Sequence, residues 1–145
     1  MTDSQKLKIR WLSRPAQEEK KLLALLSVLK HEEYLLKELE PFQDCSALRQ
    51  HLQTHQHAIR LQSVKLARMR EEIYQAVSSL PDASVQAVCL RKYLAYQTNE
   101  QIAEFMFYDV RTIQRKHKIA LDALPLPPEF PISETTIFPN ISCEN

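Results

Sequence analysis

Nine positions between Leu52 and Leu80 step along the chain by threes and fours: Leu52, His55, Ile59, Gln62, Leu66, Met69, Ile73, Ala76 and Leu80. Residues at that spacing share one face only in a helix, where 3.6 residues make a turn. The seam runs for four heptads in coiled-coil register, with His55 and Gln62 as its polar members. It predicts one helix from near Asp44 to about Ser79, on the order of 50 Å long at about 1.5 Å per residue. Upstream, Leu22, Leu25, Leu26, Leu29, Leu36 and Leu39 form a second apolar stripe at helical spacing. Pro15 suits the first turn of that helix, and Pro41 ends it. A short loop between two such helices makes an antiparallel hairpin. The two stripes carry more apolar surface than one hairpin covers, so residues 1–80 read as a helical hairpin or coiled coil that forms a homodimer, the other candidates to cover it being the helices after residue 80 and the C-terminal tail.

The first fourteen residues are ambiguous. Lys6, Leu7, Lys8, Ile9, Arg10 and Trp11 alternate basic and apolar, which suits a short strand, the start of a helix, or a basic arm along a phosphate backbone. An ordinary terminus with Trp11 tucked against the core is the plainer expectation.

After Pro81, Asp82 is placed to cap a helix from about Ala83 to Ala95, with Val85, Val88, Cys89, Tyr93 and Leu94 facing the next two helices. A unit this small has little core of its own and should lean on Ile73, Val77 and Leu80. Thr98 and Gln101 have the spacing of a capping box for a short helix whose inner face is Ile102, Ala103, Phe105 and Met106. Asp109 is placed to cap the next helix. There Val110, Ile113, His117, Ala120, Leu121 and Leu124 cover one side, and Arg111, Thr112, Arg115, Lys118 and Asp122 the other, with Gln114 and Lys116 at the margins. A short helix, a tight turn and a helix with long hydrogen-bonding side chains outward is the plan of a helix-turn-helix.

Residues 79–124 resemble the helix-turn-helix of sigma-factor region 4. The landmarks are Leu80-Pro81, Leu90-Arg91-Lys92-Tyr93, Thr98, Ile102-Ala103, Thr112-Ile113 and Ala120-Leu121. With the long helical segment in front, the chain as a whole resembles the ArpU/RinA-like late-gene transcription regulators of phages of Gram-positive bacteria. The resemblance implies an all-α fold: an N-terminal hairpin, a three-helix helix-turn-helix unit over 81–124 and an extended Pro-rich tail over 125–145. It also implies a sequence-specific regulator that binds double-stranded DNA with helix 109–124, activates phage late genes and has RNA polymerase as a further partner. The DNA-binding set is then Arg111, Thr112, Gln114, Arg115, Lys116 and Lys118, with Thr98 and Asn99 at the start of the preceding helix. Arg pairs bidentately with guanine and Gln with adenine, while Lys and Thr suit phosphates. One landmark departs: the turn position that is usually Gly is Phe107, and the chain has no Gly. A left-handed non-Gly residue costs on the order of 1 kcal/mol, so an opened or differently shaped turn is expected there.

The rival reading is a protein-interaction module whose region 4-like fold binds RNA polymerase or another protein. The formal net charge of +1, low for a DNA binder, suits it, as does an apolar tail. That tail, with Phe130, Ile132, Ile137 and Phe138 among five prolines, reads either as a solvated end or as an extended strap. An enzyme is not expected. There is no Gly-rich phosphate loop, paired-carboxylate setting or Cys-His arrangement with an orienting third group, hence no catalytic residue and no cofactor. His51 and His55, with His57 and Cys45 nearby, have metal-ligand spacing, but nothing else completes a site and solvated or seam-packed histidines are expected. Three scattered cysteines suit a reducing cytoplasm. No apolar run approaches the roughly 18 residues of a membrane span.

Overall fold

A computed structural model describes residues 1–127, and the expectation of an apolar strap at Phe130 to Phe138 lies outside them. All regular structure in the described residues is α-helix. There are six helices: α1 Asp3–Leu12, α2 Arg14–Leu39, α3 Ser46–Ser78, α4 Ala83–Tyr93, α5 Asn99–Met106 and α6 Val110–Ala123. The chain separates into two compact units. One comprises Met1–Ala16 and the residues from Met69 on, and the other is Gln17–Arg68. The boundary between these units falls inside α3.

In the unit Gln17–Arg68, the paired parts of α2 and α3 run antiparallel, as three side-chain contacts show. Glu18 meets Lys65 at 3.3 Å, Glu32 meets His55 at 2.8 Å, and Glu40 meets Arg49 at 3.0 Å. Cys45 and Leu66 are the only buried apolar side chains there, and Leu22, Leu25, Leu26, Leu29, Leu36, Leu52 and Ile59 stay half-buried. Two helices cannot enclose a core between them.

The other unit does have a core. Ile73 and Val77 near the end of α3, and Leu80 just beyond it, pack with Val85, Cys89 and Tyr93 of α4 and with Ala120, Leu121 and Leu124. Val88, Ile102, Ala103 and Ile113 form a second cluster between α4, α5 and α6. Burial pushes the Cys89 thiol up to about 12, so it carries no thiolate at neutral pH.

Residues 3–12 are neither strand nor free arm. A capping box between Thr2 and Gln5 starts α1, and Trp11 and Leu12 at its end enter the core. Its separation from α2 has a simple cause. Pro15 has no N–H for the Trp11 carbonyl, which instead accepts from Arg14 Nε at 3.0 Å.

Among the described residues two sit in the left-handed region, both aromatic: Tyr96 at φ 57° and Phe107 at φ 60°. Arg70 holds the Tyr96 loop, donating at 2.9 Å to Leu94 O and at 2.9 Å to the Tyr96 hydroxyl. At Phe107 the turn is strained and not opened. Phe107 takes φ 60° and ψ 38°, and Tyr108 N–H donates to Ala103 O at 3.0 Å, closing the end of α5. The Phe107 ring is 94% exposed, so it gains no packing in exchange. Phe107→Gly is expected to stabilise the fold by roughly 0.5 kcal/mol after the extra chain entropy of Gly is counted. Thermal denaturation should read this as a rise of roughly 2–4 °C.

Candidate nucleic-acid interface

The candidate residues are carried mainly by α6. Asp109 in extended backbone caps the helix, its carboxylate accepting from Thr112 N–H at 2.7 Å. The Thr112 hydroxyl, then its N–H, hold that carboxyl below its usual range, with Arg111 and Arg115 adding favourable charge. Ile113, Ala120 and Leu121 are buried, which fixes the rotation of α6 about its axis. Arg111, Gln114, Arg115 and Lys118 consequently face outward. Ile119, 49% exposed, shares that side, although the sequence pattern does not single it out.

The other four candidates are placed differently. Thr112 is half-buried and spends its hydroxyl on the Asp109 cap. Lys116 turns away from the outward row, donating to Ser84 Oγ at 2.8 Å with its ammonium 5.3 Å from the Tyr108 ring centre. Thr98 forms the capping box of α5, accepting from Gln101 N–H at 3.2 Å while its own N–H donates to Gln101 Oε1 at 2.9 Å. Asn99 accepts from Lys92 Nζ at 3.0 Å, which brings to the start of α5 a cation absent from the expected set. The structure therefore gathers Arg111, Gln114, Arg115 and Lys118 into one outward row and ties Thr112, Lys116, Thr98 and Asn99 into the fold.

Phe105 is a correction. Expected on the inner face of α5 with Ile102 and Ala103, it is 58% exposed, and the Arg91 guanidinium stacks 3.2 Å from its ring centre. The helix is only eight residues long, so its buried stripe is narrow: Ile102 and Ala103, with Met106 half-buried. Around the turn, Phe105, Phe107 and Tyr108 all stand exposed.

The inner side of α6 also carries His117. Its Nε2 lies 2.5 Å from the Tyr93 hydroxyl, and a neutral ring accepts that proton. Burial, then the Lys92 charge, lower the His117 pKa from 6.5 to about 4. Burial likewise raises that of Tyr93. The pair thus remains uncharged near neutrality and serves to seat α6 on α4.

Among the described residues, no group of three or more His, Cys, Asp and Glu is placed to hold a metal ion, and no helix is long and apolar enough to cross a membrane. Comparison with protein-family models, with curated proteins and with solved structures finds no match.

Proposed function

We propose that the protein is a sequence-specific transcription regulator that binds double-stranded DNA through a helix-turn-helix formed by α4, α5 and α6, with α6 in the major groove. One observation carries this reading. From 83 to 124 there are six basic side chains, and three of them are engaged within the fold. Arg91 stacks on Phe105, Lys92 binds Asn99, and Lys116 binds Ser84. The other three, Arg111, Arg115 and Lys118, make no hydrogen bond or ion pair among the described residues and lie together with Gln114 on the outward side of α6. A row of unspent donors about two turns long suits base edges and flanking phosphates.

The low net charge favours binding that draws on base contacts more than on a general grip on phosphate. The sigma region 4 resemblance supports the same assignment and extends it to a phage or prophage late-gene activator acting in the cytoplasm. The half-buried leucines of the hairpin supply the dimer contact in this reading, since a second copy would complete a four-helix core. Selection from a pool of random duplexes is expected to enrich a short motif in two copies at fixed spacing, with salt-sensitive binding. A single half-site would point to a monomer, and no enrichment at all would reject DNA reading.

A second reading keeps the same fold as a protein-docking module, with RNA polymerase as one candidate partner. Phe105, Phe107 and Tyr108 favour it, because an exposed aromatic group at a strained turn has no use in reading a groove through α6. Failure of the selection together with loss of a protein partner in Phe107→Gly would support this alternative.

A further inference from the structure

We infer that α1 is a positioning element for α6, in which Lys8 and Gln5 lock the last turn of the reading helix and base discrimination depends on that lock. The inference rests on α6 being the helix that reads DNA. By itself, α6 ends poorly. Its last turn holds no basic residue, it carries Asp122 near the negative end of the helix dipole, and its cap Leu124 is extended with ψ 143°. The missing groups come from α1. Lys8 Nζ donates to Leu121 O at 2.6 Å, and Gln5 Nε2 donates to Asp122 Oδ1 at 2.7 Å. Gln5 Oε1 in turn accepts from Thr2 N–H at 3.1 Å, so both ends of its amide are spoken for.

Lys8 is 7% exposed, and among the described residues no carboxylate lies within ion-pair distance of it. Burying an ammonium against a neutral carbonyl is costly, and an apolar chain of equal length would pack there more cheaply. What the charge supplies is a fixed end for α6. The lock at Leu121 and Asp122 lies one turn beyond Lys118. If that turn frays, α6 can tilt on its buried middle and carry Arg111 and Arg115 off a bidentate geometry that tolerates little error.

The test is Lys8→Met in the full chain, with three readouts: amide hydrogen exchange of Leu121 to Leu124 in the free protein, the ratio of affinities for the selected and random duplexes, and the salt slope of binding. Exchange in the last turn should accelerate and the ratio fall, each by about tenfold, with the slope unchanged because Lys8 touches no phosphate. Lys8→Arg should restore the ratio. Unchanged exchange and ratio would overturn the lock. So would a slope lower by about one, which would mean a phosphate contact. A parallel loss of both affinities with melting temperature would reduce Lys8 to a structural role. If Lys8→Met does not fold, Gln5→Ala carries the same measurements. A parent that does not discriminate overturns the reading of α6, whereas a discriminating parent with an unaffected variant overturns the lock.

Discussion

Leu12→Ala is expected to cost about 2–5 kcal/mol, the range for truncating a fully buried leucine whose surroundings relax only in part. Leu12 has no exposed surface and sits in the cluster with Ile73, Val77 and Leu121. For a unit of this size the loss corresponds to a fall in melting temperature of roughly 10–20 °C. Leu7 in the same helix lies at the surface, so Leu7→Ala should change stability by less than about 0.5 kcal/mol. Urea denaturation of the two variants separates the outcomes. If both melt like the parent, α1 is not part of the core.

The second large effect is a loss of stability in mild acid. His117 has its folded pKa lowered to about 4 from 6.5, so between those values the unfolded chain binds a proton that the folded protein does not. The stability this group supports is complete above about pH 6.5, falls as pH drops toward about 4, and changes no further below that. Because the ring is half-buried and partly screened, the loss is on the order of 2 kcal/mol. Protonation would also place a donor on Nε2, opposite the Tyr93 hydroxyl. His117→Gln keeps an acceptor for Tyr93 and removes the titration, so its stability should stay flat across this window. The capping carboxylates Asp82 and Asp109 have lowered pKa values, and their contributions fade only below the usual carboxylate range. Parent and variant with the same acid profile would exclude His117 as the cause.

What can be read from the sequence obeys a physical rule. The α3 seam, the inner face of α6 and the caps at Thr98 and Asp109 are local patterns, set by a 3.6-residue period and by side chains reaching their own backbone. Ile113, Ala120 and Leu121 are therefore visible as core, and Arg111, Arg115 and Lys118 as an outward row. Residues 3–12 are not visible as a helix. Their alternation fits a period of two as well as a first helical turn, and what decides it is the core into which Trp11 and Leu12 pack. The same holds for Lys116 and Thr112. Both have the right chemistry for DNA, but Ser84 lies 32 residues away in sequence, and the Asp109 cap takes the Thr112 hydroxyl. The boundary between the two units leaves no trace, because α3 and its seam run without interruption through residues 68 and 69. At Phe107 the lack of Gly points to an opened or reshaped turn, whereas the backbone keeps the left-handed conformation.

The central claim is that the outward face of α6 reads bases, and Arg115 lies in the middle of that face. It is exposed, so fold stability should depend on it little. The decisive measurement is the affinity of Arg115→Ala for the selected duplex and for random DNA over a series of salt concentrations, with circular dichroism unchanged from the parent. The expected result is a loss of roughly 1–3 kcal/mol on the selected duplex and much less on random DNA. Equal losses on both, with the salt slope lower by about one unit, would make Arg115 a phosphate contact. Binding of the selected duplex as tight as the parent's would contradict the assignment of α6 as the reading helix.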